Sequence, residues 1–228
     1  MDERLIEFKN LVSLFNDNGF SLYLVGGTVR DYLLDLPLND MDAVTDATPQ
    51  EMKKFLPSAS YAFERFGSVS YKTEKKVKFD ITTMREEKGY LDARHPDNIH
   101  FIKDLQKDYL RRDFTINALY LDSALKVIDY CGGEKDLQDR VLKMIGDADK
   151  RLKEDPLRIL RAFRFAADYD LSFDKTLDLA IRNNIDEIDK LNIEKIKMDL
   201  KKAKTSSKEK ILAYFEEYNI KHLKDVIE

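Results

Sequence analysis

The run Leu24-Val25-Gly26-Gly27-Thr28-Val29-Arg30-Asp31 is followed, within one short helix and loop, by Asp40-Met41-Asp42. Two glycines after an apolar strand let the backbone turn tightly and approach a ligand closely, and the helix they open points N–H groups at it. Such a turn is an anion cradle, suited to a phosphate. Arg30, one turn into the helix, adds a forked and permanently charged donor. Asp40 and Asp42, two residues apart on an extended segment, project from one face, and paired carboxylates of this kind hold Mg²⁺. A glycine pair alone is commonly a turn, and an Asp-x-Asp alone is commonly solvated. Together, in this order, they point to nucleotidyl transfer.

Phosphoryl transfer to a hydroxyl asks a protein mainly for positioning and charge neutralisation, which two divalent ions supply when several carboxylates hold them. Asp80, in Val77-Lys78-Phe79-Asp80-Ile81-Thr82-Thr83, lies on a strand whose alternation sets it opposite Phe79 and Ile81. It is therefore either a third ligand or an exposed strand residue, and its pairing with Asp40 and Asp42 favours the ligand.

Two more segments carry chemistry. Arg111-Arg112-Asp113-Phe114-Thr115-Ile116-Asn117 sets two guanidiniums before an expected helix N-cap at Asp113. Arg112 suits a triphosphate or ribose, and Asn117 can face a sugar hydroxyl or another backbone group. In Glu154-Asp155-Pro156-Leu157-Arg158-Ile159-Leu160-Arg161-Ala162-Phe163-Arg164, Pro156 opens a helix. Arg158, Arg161 and Arg164 then form a slowly winding basic stripe beside an apolar one. Asp155 and Arg158 share nearly one face. A carboxylate accepts from an exocyclic amino group while a guanidinium donates to the adjacent ring nitrogen, so this pair fits cytosine and adenine and leaves unpaired groups against uracil and guanine. The plainer alternative is a surface salt bridge three residues apart.

The elements that must position these residues follow from hydrophobic period and turn signals. An amphipathic helix carrying Leu5, Ile6, Phe8, Leu11, Val12, Leu14 and Phe15 stops near Asn18-Gly19. Strands are expected at 21–25, 41–45, 69–73 and 77–83, and helices at 28–35 and 49–56, the second opened by Thr48-Pro49. Residues 86–97 lack a period and read as a long loop, strands at 119–122 and 126–129 follow, and the chain is helical from about Asp147 onward. The fold class is α+β: a mixed-sheet first domain over 1–145 and an all-helical part over 146–228. Seven lysines from Lys195 to Lys210 read as a solvated helix face rather than a nucleic-acid patch.

At 228 residues and 43% hydrophobic content the chain can bury a sizeable core. Its 39 basic and 43 acidic residues nearly cancel, so no global basic field exists and a nucleic-acid partner has to be gripped locally. One cysteine and three histidines give no intramolecular disulfide and no zinc spacing. The start does not read as a signal peptide, and no apolar stretch approaches membrane length. The expected location is cytoplasmic, with no membrane partner.

The ordered stretches LVGGTVRDYLL with NDMDAVTDATP, FDITTMREEKGYLDARHP, RRDFTINAL and EDPLRILRAFRFAA, spanning 22–167, resemble the class II tRNA nucleotidyltransferases, the CCA-adding enzymes and their bacterial poly(A) polymerase relatives. The resemblance implies a palm domain carrying metal carboxylates and a helical neck that selects the nucleotide without a template. By position it implies Asp40, Asp42 and Asp80 as catalytic Mg²⁺ ligands, Asp80 standing where relatives often have Glu. It also implies Gly26, Gly27, Arg30, Arg112 and Asn117 around the nucleotide, Asp155 and Arg158 reading the base, and Arg161 and Arg164 lining the same pocket. Implied partners are the tRNA 3′ acceptor end, CTP and ATP, with no oligomeric state implied. The loop from Arg85 to Pro96, with Asp92 and Arg94, resembles the segment relatives use to add A after CC. The family usually continues for a long helical body, so the expectation is a compact or C-terminally shortened member. A poly(A) polymerase or A-adding enzyme, and a non-catalytic RNA-binding module, are the alternatives.

Overall fold

The structure, a computed structural model, describes residues 2–88 and 98–226. Asp92 and Arg94 lie outside the described residues. The described chain forms two compact units, one from residues 2–88, 98–112 and 116–134, the other from 113–115 and 135–226.

The first unit opens with α1 (Glu3–Asp17), capped by the Asp2 carboxylate and burying Phe8 and Phe15. Then come β1 (Leu22–Val25), α2 (Gly27–Leu33), β2 (Met41–Thr45) and α3 (Pro49–Met52). In α3, Thr48 and Glu51 close a reciprocal capping box, satisfying N–H groups that a four-residue helix would otherwise leave open. Strands β3 (Ser60–Phe63), β4 (Ser68–Lys72) and β5 (Lys78–Thr83) follow, then β6 (Arg85–Lys88), β7 (Asn98–Phe101), α4 (Leu105–Asp108), β8 (Tyr120–Leu121) and β9 (Val127–Ile128). A seven-stranded sheet runs β3-β4-β5-β2-β1-β8-β9. It is mixed, because β2 and β5 pair in parallel while its other recorded pairs are antiparallel. Strand alternation buries Val69, Phe79 and Ile81 with α1 on one face, which leaves the opposite face of β4 and β5 to polar residues.

The second unit holds α5 (Gly133–Gln138), which begins at the boundary, then β10 (Val141–Leu142), α6 (Ala148–Glu154), α7 (Leu157–Tyr169) and β11 (Ser172–Phe173). It ends with α8 (Lys175–Asn184), α9 (Ile193–Leu200) and α10 (Lys208–Glu217). Phe163 of α7 is fully buried, stacked on Tyr214 at 5.2 Å and packed against Phe173, Phe215 and Tyr218.

The α+β class is as expected, with four local corrections. Ser60–Phe63 is a strand where none was expected. Residues 85–88 and 98–101 pair as antiparallel strands inside and beside the expected loop, and within β6 Arg85 meets Glu87 at 2.7 Å. Asp113 does not open an α-helix, since only a 3₁₀ turn at Thr115–Asn117 follows. Its carboxylate instead accepts from the Phe114 N–H and from Arg161. The helical region contains β11, paired in parallel with β10. Composition shifts near 145, whereas residues 135–145 belong to the second unit. Thr115 donating to Asp136 at 2.7 Å, Ile145 N–H donating to the Asp113 carbonyl, and the Phe114·Met144 bridge bind them to residues 113–115.

Removing the central ring tests this packing. Phe163→Ala is expected to cost about 3–5 kcal/mol of unfolding free energy, measured by urea titration followed by far-UV circular dichroism.

Candidate functional site

In the first unit the parallel pairing of β2 with β5 sets Asp42 directly opposite Asp80. The segment that carries Asp40 and Asp42 is clamped by Thr28. Its hydroxyl donates to the Asp40 carbonyl at 2.9 Å and accepts from the Asp42 N–H at 2.8 Å. Thr28 is itself buried in the first turn of α2. The sequence reading missed this clamp, although a Thr two residues after Gly26 in Gly-Gly-Thr is its visible trace.

Gly26 has φ of 66°, a left-handed conformation that favours glycine. Its amide donates to the Leu119 carbonyl at 3.2 Å, so that N–H is spent on the sheet. A Cβ on Gly27 would lie 3.8 Å from an Asp42 carboxylate oxygen and 3.4 Å from Arg30, so the backbone approaches the carboxylate closely. Arg30 is 5% exposed, donating to Asp31 at 2.9 Å and to Asn117 Oδ1 at 2.6 Å. Asn117 thus faces Arg30.

Burial, with the Asp80 and Asp40 charges, pushes the Asp42 carboxyl up to about 6, against the pull of Arg112 and Arg30. Lys78 sits on Asp80 at 2.7 Å, a partner the sequence reading also missed. Among the described residues no three carboxylate, imidazole or thiol groups are gathered into a ready metal cage. The donor set is nevertheless all hard oxygen with excess negative charge, which fits a divalent cation of the Mg²⁺ type. The cleft around Asp42 and Asp80 has a volume of about 690 Å³ and includes Gly26, Arg111 and Arg112 in its lining.

Arg112 is held from behind. Asp108, completely buried, accepts from Arg112 at 3.0 Å, Arg111 at 2.8 Å, the Tyr120 hydroxyl at 2.9 Å and the Arg85 N–H at 3.1 Å. Burial alone would raise its carboxyl, but Arg112 and Arg111 hold it well below the usual carboxylate range. Its spacing of three and four residues before the two arginines is a legible helical pairing signal that the sequence reading did not use.

In the second unit the arginine stripe of α7 meets a carboxylate at every step. Arg158 lies 3.8 Å from Asp155 and 3.7 Å from Glu154, and donates to the Arg151 carbonyl at 2.7 Å. Asp155 also accepts from the Leu157 N–H at 3.1 Å, so it helps to cap α7. Arg161 is bound to Asp113 and stands 3.8 Å from Asp199. Arg164, buried, reaches Asp199 at 3.2 Å and covers the Phe165 ring. Asp199 is one of two acids within the lysine run, with Glu209, and only the fold reveals its partners. Of that run, Lys197, Lys204 and Lys210 are engaged with Glu194, Asp168 and Asp170.

These geometries stand in a chain that matches a known family. Residues 22–143, more than half of the sequence, match the family described as the poly A polymerase head domain, and the chain belongs to it. Among curated relatives, it is 36% identical over 194 residues to a CCA-adding enzyme of Staphylococcus haemolyticus, covering 85% of this chain and 48% of that protein. It is 37% identical to a CCA-adding enzyme of Lactobacillus helveticus, at 84% and 48% coverage. Among solved structures, the Bacillus stearothermophilus CCA-adding enzyme in complex with CTP superposes with a TM-score of 0.84 at 27% identity, over 94% of this chain and 53% of that one. The Thermotoga maritima CCA-adding enzyme complexed with tRNA gives 0.76 at 27% identity, over 98% and 53%. The chain spans about half the length of the curated relatives it matches. No described helix is long and apolar enough to cross a membrane.

Two outcomes test the geometry. Thr28→Val removes both clamp bonds, and should lower nucleotide incorporation at least tenfold while costing about 1–2 kcal/mol of stability, read by incorporation assay and urea titration. Asp113 titrates at about 2, because burial is outweighed by Arg161 and the Phe114 N–H. A depressed folded-state pKa means stability fully present above the unfolded value near 4 and lost as pH falls toward 2. Asp113→Asn should therefore flatten the loss of stability between pH 4 and pH 2 by about 2 kcal/mol, followed by urea titrations at stepped pH.

Proposed function

We propose that this chain is a template-independent tRNA nucleotidyltransferase that adds C, C and A to the tRNA 3′ end from CTP and ATP, with Mg²⁺ held by Asp40, Asp42 and Asp80. The observation that carries the reading is the placement of Asp42 opposite Asp80, inside a cleft that also holds Gly26 and Arg112. The relatives named CCA-adding enzymes supply the substrate class.

In the proposed reaction the RNA 3′-oxygen attacks the α-phosphorus of the incoming nucleotide, the bond to the bridging oxygen breaks, and pyrophosphate leaves. Divalent cations, when bound, assist by activating the attacking oxygen and neutralising the leaving group. The chain's own groups orient the reactants. Gly27 lets the triphosphate approach Asp42, Arg30 and Arg112 balance its charge, and the Asn117 and Asp108 contacts fix those guanidiniums before substrate arrives. Base choice falls on Asp155 and Arg158, one accepting from the exocyclic amine and the other donating to the ring nitrogen. Arg161 and Arg164 brace that helix through Asp113 and Asp199. A poly(A) polymerase is the second reading, favoured by the family description of the matched head domain.

The test is incubation with tRNA lacking its 3′ end and each nucleotide separately and CTP with ATP together, resolved to single nucleotides. Addition of C, C and A and then arrest supports the proposal, whereas an open ladder from ATP alone selects the polymerase. In the same assay Asp155→Ala should raise kcat/KM for UTP relative to CTP by roughly tenfold or more while total rate falls. Unchanged ratios would return Asp155 to its role as cap of α7.

A further inference from the structure

We propose that the open face of β3, β4 and β5 beside the carboxylates is a seat for the single-stranded RNA that precedes the reacting 3′ end, with Phe63 as a stacking platform for one of its bases. The inference rests on the RNA nucleotidyltransferase reading and assigns that substrate a place on the first unit.

The sheet register lays the residues out in rows. Asp42, Asp80, Ser70 and Ser60 stand opposite one another across β2, β5, β4 and β3, and Thr82, Ser68 and Phe63 form the next row outward. All seven line the same cleft. The reverse face buries Val69, Phe79 and Ile81, so this face is polar because of strand alternation rather than for want of core. Hydroxyls of Ser60, Ser68, Ser70 and Thr82 make no protein hydrogen bond among the described residues. They suit the phosphates and 2′-hydroxyls of RNA, which both offer oxygen acceptors. Phe63 ends the edge strand at 65% exposure. A large ring left so open beside a cleft is costly to keep wet and useful as a surface for a base.

Charge and distance narrow the occupant. Lys72 stands across β4 and β5 from Lys78, and since Lys78 is engaged by Asp80, Lys72 is the cation beside this face that suits a passing phosphate. Phe63 is three strand spacings across the sheet and one row along it from Asp42, about 16 Å, or roughly five stacked-base steps of 3.4 Å. A base on Phe63 therefore belongs to the strand leading to the 3′-hydroxyl and not to the incoming nucleotide.

The chain has no tryptophan, so Phe63→Trp installs a unique reporter. Its fluorescence should be quenched by tRNA ending in CC and unchanged by CTP alone. Phe63→Ala should raise KM for tRNA roughly five- to a hundredfold, with KM for CTP, kcat at saturating tRNA and the far-UV spectrum as in wild type. Ser60→Glu, at the exposed edge of the neighbouring row, should raise KM for tRNA as well. If wild type extends tRNA while Phe63→Ala keeps its tRNA KM, or if CTP alone quenches the reporter, this proposal is overturned and the reading of the activity stands. If wild type extends no RNA with any nucleotide, both fall.

Discussion

The pairing of Asp42 with Asp80 across parallel strands is the constraint on which the first unit is built. Two carboxylates opposite each other in a sheet repel, and burial of Asp42 sharpens the cost. The fold offsets it locally. Thr28 fixes the backbone on either side of Met41, Lys78 covers Asp80, and Arg30 and Arg112 lower the potential at Asp42. What remains is a pair of facing carboxylates in a polar cleft that Lys78, Arg111 and Arg112 also line, and carboxylate oxygens so placed suit an added divalent cation.

The arginines obey the opposite rule. Arg112 stands on Asp108, Arg161 on Asp113, and Arg164 on Asp199, so each of these guanidiniums, half-buried or buried, has a carboxylate that compensates its loss of hydration. Such pairs contribute little net stability, but removing one partner leaves a buried charge exposed to a low dielectric. Their value here is orientation. A guanidinium already fixed by a carboxylate behind it loses less entropy on meeting an anion than a mobile one does.

Much of this was legible in the sequence. The β2 and β5 strands and their carboxylates followed from alternation, α1 from its period, and α3 from Thr48-Pro49, because each is governed by neighbours within a few residues. The features that escaped depend on distant partners. Ser60–Phe63 is a strand through its pairing with β4, and β11 exists only because β10 lies alongside it. Asp113 looked like a helix cap because Asp before Phe-Thr-Ile carries that local signal, yet Arg161, forty-eight residues later, claims its carboxylate. Asp199 was hidden for the same reason, whereas Asp108, three and four residues before its arginines, was legible and went unread. A charged residue reads as solvated until the fold shows what it is buried against.

These two electrostatic patterns divide the labour of binding an anionic substrate. A triphosphate meeting Arg30 or Arg112 exchanges or shares existing partners, Asp31 and Asn117 on one side and Asp108 on the other, so each contact yields only the difference between two ion pairs. Affinity from the arginines alone is consequently modest. The larger gain is available at Asp42, where like charges are still unbalanced and a cation brought in with the nucleotide removes a repulsion as well as adding an attraction. Under the proposed function, a site built in this way couples metal and nucleotide. Either alone meets a surface that is partly satisfied or partly repulsive, and the two together neutralise both.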